Sequence, residues 1–101
     1  MFKLSIVLAE NFSGDTVRIQ LNGREIYNRE HVSTSKKHGM ADSFEVEVPE
    51  SGPLTLSIAI PTRNRSKTIS LSMGRPLWIQ LSLDPQGQIE ETIHKEPAGH
   101  A

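Results

Sequence analysis

Apolar and polar residues alternate with a period of two along almost the whole chain. Phe2, Leu4, Ile6 and Leu8 interleave with Lys3, Ser5, Val7 and Ala9. The scheme returns at Val17, Ile19, Leu21; Phe44, Val46, Val48; Leu54, Leu56, Ile58, Ile60; Ile69, Leu71, Met73; Leu77, Ile79, Leu81, Leu83; and more weakly at Ile89 and Ile93. A period of two marks strands with one buried face, and no window offers the i, i+3, i+4 stripe of an amphipathic helix. The breaks carry turn chemistry at Ser13-Gly14-Asp15, Asn22-Gly23, Pro49 to Pro53, Pro61 to Ser66, Gly74-Arg75-Pro76 and Asp84-Pro85-Gln86-Gly87. Strands buried on one face need a second sheet to cover it. The pattern therefore predicts an all-β fold, an antiparallel β-sandwich of seven to eight strands and immunoglobulin-like size. The cysteine pair and buried tryptophan of true immunoglobulin domains are missing, so the expectation is of architecture, not superfamily. One domain is predicted over residues 1–94, followed by a flexible tail at 95–101.

The run RIQLNGREIY, residues 18–27, predicts a hairpin with a two-residue turn at Asn22-Gly23. A regular ladder from that turn sets Leu21 opposite Arg24 and Ile19 opposite Ile26 on one face, with Gln20 opposite Glu25 and Arg18 opposite Tyr27 on the other. A register with a longer loop would put Ile19 opposite Tyr27, turn Ile26 outward and mix apolar with polar positions on each face, which one buried face forbids. The turn accounts for these residues without a ligand.

The segments FKLSIVLAENFSG, RIQLNG, SFEVEVPE and LTLSIAI follow one another in an order and rhythm that resembles C2 domains. The clustered loop aspartates that hold calcium in that family have no counterpart here, since Asp15, Asp42 and Asp84 stand apart in the chain.

If successive strands alternate in direction, the connections at 10–16, 29–42, 61–66 and 84–87 share one end of the sandwich and the tight turns share the other. The longer loops then lie together, as binding loops do on a rigid scaffold. They bring Lys36, Lys37, Arg63 and Arg65 to that end, a secondary candidate for an anion or phosphate site, interleaved with Glu10, Asp15, Glu30, Asp42 and Asp84. Acids so near favour a solvated mixed-charge rim instead. The segment STSKKHG in the longest loop reads as mobile.

Composition narrows the function. The formal net charge is −1, so no basic field attracts nucleic acid or an anionic membrane. Cysteine is absent, which removes disulfides, thiolate metal sites and thiol nucleophiles. The start MFKLSIVLAE has an apolar stretch too short for a signal peptide, so cytoplasmic localisation is the default. Histidines 31, 38, 94 and 100 lack close metal-ligand spacing, no Gly-rich phosphate loop precedes a helix, and the strand-borne Glu45 and Glu47 read as a solvated face. No catalytic residue, metal or cofactor is expected.

The outward positions of the last long strands stand apart from the rest. Thr55, Ser57 and Ala59, then Thr68, Ser70 and Ser72, then Trp78, Gln80 and Ser82 include no charge, whereas other strands turn Lys3, Arg18, Glu25, Glu45, Glu47 and Glu90 outward. Three consecutive strands joined by short turns are expected side by side. They would present a flat, neutral, hydroxyl-rich face with Trp78 toward one end, and Trp78, Gln80, Ser57, Ser70, Ser72 and Thr55 are its candidate binding residues. Small polar neighbours around an aromatic anchor suit another protein or a second copy of this chain. A glycan stacked on Trp78 is the alternative partner, and an exposed β-surface with no ligand accounts for the same residues. The sequence thus reads as a small, soluble, non-enzymatic recognition module.

Overall fold

The computed structural model describes residues 2–35, 37, 39–48 and 52–94. They form eight strands: β1 (Phe2–Leu8), β2 (Asp15–Leu21), β3 (Arg24–Val32), β4 (Asp42–Val48), β5 (Gly52–Ile60), β6 (Arg65–Met73), β7 (Leu77–Leu83) and β8 (Ile89–His94), with one 3-10 turn at Pro61–Arg63. The strands divide into two four-stranded sheets, ordered β4-β1-β7-β8 (sheet A) and β3-β2-β5-β6 (sheet B). The body is 20 Å deep along its shortest axis, which suits two sheets about 10 Å apart with their outer side chains. The protein is a small β-sandwich.

The alternating residues fill the space between the sheets. Leu4, Ile6 and Leu8 of β1, Val17 and Ile19 of β2, Leu56, Ile58 and Ile60 of β5 and Ile79, Leu81 and Leu83 of β7 are almost wholly buried. Each fully buried side chain of this size contributes about 1.5–3 kcal/mol relative to exposure.

Strand direction alternates along the chain, and this has two results. The connections after β1, β3, β5 and β7 meet at one end, joined by hydrogen bonds from Leu83 N to the Glu10 carbonyl at 3.0 Å, Thr34 N to the Phe12 carbonyl at 2.9 Å and Arg63 Nη2 to the Asn11 carbonyl at 3.1 Å. The same alternation makes β1 and β7 run the same way, so where they pair, from Leu4↔Leu77 to Leu8↔Leu81, the pair is parallel in an otherwise antiparallel fold. In the immunoglobulin arrangement the first two strands share a sheet. Here β1 and β2 lie in different sheets, so the likeness to that fold stops at size.

The hairpin overturns the expected pairing of Ile19 with Ile26. Leu21 faces Arg24 and Gln20 faces Glu25, but the register then shifts and Ile19 faces Tyr27. Ile26 is the extra residue of a β-bulge, which changes parity within the strand and so escapes the constraint that one buried face puts on a regular pairing. The larger aromatic side chain gains the interior: Tyr27 is buried and Ile26 only half-buried. A second shift, between Asp15↔Val32 and Val17↔Arg29, carries His31 at a φ of 59°. These bulges keep β3 in the sheet through Val32, so Arg29 and His31 belong to a strand and not to the long loop.

That loop is pinned at its base. Ala41 N donates to the Leu8 carbonyl at 2.6 Å, Thr34 Oγ1 to the Ala9 carbonyl at 2.7 Å, and Ser35 pairs with Met40. Lys36, His38 and the tail at 95–101 lie outside the described residues.

Each open side of the sandwich is closed by a clasp between sheets. Between β3 and β4, the Tyr27 ring stacks on Phe44 at 4.7 Å and its hydroxyl donates to Asp42 Oδ2 at 2.8 Å. Between β6 and β8, Lys67 pairs with Glu91 and donates to the Ile89 carbonyl at 3.4 Å.

Candidate functional site

The expected neutral face is divided by the strand order. The outward Thr55, Ser57, Ser70 and Ser72 lie on β5 and β6 in sheet B, whereas Trp78 and Gln80 lie on β7 in sheet A. Both sets point away from the core, so they occupy opposite surfaces of the sandwich. The tight connection after β6 passes the chain from one sheet to the other. Adjacency in sequence therefore does not become adjacency in a sheet, and the six residues form no common platform.

Each half has different surroundings. On sheet B, Thr55 faces Ser70 and Ser57 faces Thr68 across the β5–β6 ladder, and Gln20 of β2 borders Ser57. The face is rich in hydroxyls.

On sheet A, four strands meet around Trp78. Ser5 is its neighbour on β1 and His94 its neighbour on β8, and Glu45 of β4 lies beyond Ser5 in the same row. The next row reads Ser43, Val7, Gln80, Thr92. Ser5 is 8% exposed although it faces outward, because the small side chain sits between larger neighbours. The difference in size leaves a shallow hollow of about 390 Å³ lined by Ser5, Val7, Ser43, Glu45 and Trp78, among others. Glu45 is paired with Lys3 at 3.0 Å, and both are half-exposed. The hollow thus offers two hydroxyls, a neutralised carboxylate, the apolar Val7 and the half-buried Trp78.

Local sequence pointed to Trp78 and Gln80. It did not point to Ser5, Ser43, Glu45 and His94, which join them only through the β4–β1–β7–β8 pairings. The outward parity of Ser5 was legible; its neighbours were not.

Of the four cations proposed for an anion site, Lys36 lies outside the described residues and the other three do not assemble. Arg63 donates Nε to Asp15 Oδ1 at 2.9 Å and Nη2 to Asp15 Oδ2 at 3.0 Å. Asp15 is 3% exposed and also accepts from Ser13 N and Thr62 Oγ1, both at 2.9 Å. Burial acts to raise its pKa, but these hydrogen bonds and the Arg63 charge outweigh it and hold the carboxyl below its ordinary range. Arg63 is the counterion of a buried acid and is not free for a ligand. Gly87, at φ +82°, lies against it, and a Cβ there would stand 3.4 Å from Nη1. Arg65 instead reaches toward the Gln86 carbonyl at 3.5 Å and lines a separate hollow with Lys67 and Gln88. Lys37 is exposed on the 33–41 loop.

The separated aspartates each have their own partners: Asp15 with Arg63, Asp42 with Tyr27, and Asp84 Oδ1 with the amides of Gln86 and Gln88 at 2.9 and 2.8 Å. Among the described residues no group of three or more His, Asp or Glu side chains could hold a metal ion. Compared with known protein families, curated proteins and solved structures, the chain matches none.

Proposed function

We propose that this β-sandwich is a non-enzymatic recognition module that binds another protein through the outer face of sheet A, with Trp78 as the anchor. The observation that carries the reading is the hollow beside Trp78, in which Ser5 and Ser43 offer hydroxyls and Val7 an apolar side chain. Tryptophan is the residue type most enriched at the energetic centres of protein interfaces, and such centres are small pockets ringed by polar groups. A side chain of modest size, apolar with a polar tip, would fill the hollow and lie against the indole.

The test is selection from a displayed peptide library on the wild-type chain, followed by binding to Trp78→Ala and to Ser43→Arg, which fills the hollow from an exposed position. Loss of at least about 2 kcal/mol of binding in both variants, with thermal stability unchanged, is the expected result. Selected peptides that bind the wild type and both variants alike would reject this surface. Chemical-shift changes at Trp78, Ser5 and Gln80 on adding polysaccharides, with no peptide selected, would transfer the face to a glycan.

A further inference from the structure

Three of the four edge strands carry a feature that resists pairing with another strand. β3 is interrupted by two bulges, β4 turns Glu45 and Glu47 outward, and β8 carries Glu90 and Glu91 in succession within its six described residues. Bulges, short length and charge are the usual protections of an exposed edge. β6 differs from all three. Its nine residues run against β5 without a register shift from Gly52↔Met73 to Ile60↔Arg65. Its outward positions are Ser66, Thr68, Ser70 and Ser72, all exposed and none charged. The two charges of inward parity lie at one end: Lys67 is turned across the seam to Glu91 and neutralised there, and Arg65 is exposed and reaches toward the Gln86 carbonyl.

The pattern of β6 is also complementary to itself. Its midpoint is Ile69, and an antiparallel pairing of two β6 strands about that residue matches every position from Arg65 to Met73. On the outer face Ser66 meets the second copy's Ser72 and Thr68 meets its Ser70, and paired hydroxyls are favourable cross-strand neighbours. On the inner face Ile69 meets its own copy, Lys67 meets Leu71 and Arg65 meets Met73. No like charges face each other. Re-centring on Lys67 would set Lys67 against its own copy, and re-centring on Ser70 would set Arg65 opposite Arg75. The same operation on β4 about its midpoint would bring Glu45 against Glu45.

We infer that β6 joins β6 of a second copy of this chain in an antiparallel pair about a two-fold axis through Ile69, making one eight-stranded sheet from two sheets B. Such a pairing is isologous and closes at a dimer. It uses an edge of sheet B and leaves the Trp78 hollow of each copy open, so it stands apart from the reading proposed for that hollow.

Sedimentation equilibrium of the full chain into the millimolar range tests this with two charge variants at exposed outward positions. The wild type is expected to associate from a monomer of 11.2 kDa to a dimer. Thr68→Lys with Ser70→Lys places like charges opposite each other at both symmetry-related pairs and should weaken the dimer by about tenfold or more. Thr68→Glu with Ser70→Lys places opposite charges there and should restore it. Acrylamide quenching of Trp78 should not change with concentration, because the face that carries it stays open. A wild type that remains a monomer throughout, or two variants that associate equally, overturns the inference. Burial of Trp78 with concentration would assign self-association to sheet A instead.

Discussion

Arg63 holds Asp15 in a two-point grip, Nε on Oδ1 and Nη2 on Oδ2, and thereby ties the first residue of β2 to the turn that follows β5. Asp15 is buried and its partner's side chain is 29% exposed. Removing one member of a fully buried pair costs about 3–5 kcal/mol, and partial access of water to Arg63 lowers that. Arg63→Met is expected to destabilise the fold by about 2–3 kcal/mol in urea unfolding. A change within error would mean that the grip contributes nothing to stability.

The same contact makes stability depend on pH in acid. Because the folded pKa of Asp15 lies below its ordinary value of 3.8, its contribution is present in full above that value. It is lost as pH falls through the lower folded value, where the carboxylate must take a proton. Stability measured by urea titration from neutral pH downward should drop below the ordinary carboxylate range. In Asp15→Asn the part of that drop due to this residue should vanish, although the variant is less stable at neutral pH.

Tyr27 gives an alkaline counterpart. Burial, and after it the hydrogen bond to Asp42, raises its phenol well above the ordinary value of 10.0. A raised folded pKa means that stability is present in full below the ordinary value and is lost as pH rises through the folded one. As the chain's single tyrosine, it can be followed by ultraviolet absorbance without interference from another phenol. Ionisation should be delayed past the ordinary value and should coincide with unfolding; a normal reversible titration of the folded protein would contradict the buried clasp. Tyr27→Phe keeps the stack on Phe44 and should cost about 1 kcal/mol.

The second clasp is expected to behave differently. Lys67 and Glu91 face inward at the seam, each partly exposed. Lys67→Met leaves an acid against the core edge and Glu91→Leu leaves an ammonium there, so each single variant should be destabilised. The double variant removes both charges and should recover most of the loss, since apolar replacement of an ion pair is often neutral or better. Thermal melts of all four proteins form the cycle, and simple additivity would show that the pair does not couple.

The hairpin turn yields the fifth prediction. Asn22 and Gly23 sit at φ of 50° and 82°, the left-handed region that the turn requires. Gly23→Ala adds a Cβ in open space but strains the backbone, for about 1–2 kcal/mol. Asn22→Ala should cost a similar amount for a different reason, because Asn22 Oδ1 also accepts from Thr55 N at 2.8 Å. Hydrogen exchange at the Thr55 amide should quicken in Asn22→Ala and stay protected in Gly23→Ala.

Much of this architecture was legible in the chain. The period of two, broken by Gly, Pro and Asn, marked the strands within a few residues, and alternating strand direction placed the four longer connections at one end. Those features depend on each residue's own chemistry and on its near neighbours. The bulge at Ile26 was not legible, because both registers satisfy the turn and only the inter-sheet partners Phe44 and Asp42 decide for Tyr27. Nor was the Asp15–Arg63 contact, whose members are 48 residues apart and appeared as members of a solvated rim.

Sheet membership was decided by tertiary structure alone. A short turn such as Gly74-Arg75-Pro76 can close a hairpin within one sheet or carry the chain to the other, and its residues allow both. Here it crosses, and Trp78 parts from Ser57 and Ser70 to lie beside Ser5, Glu45 and His94. Alternation along the chain determined which side chains face outward, because it is a local property of the pleated strand. Which outward side chains share a surface depended on the long-range pairing that buries the most apolar area, and that only the folded sandwich decided.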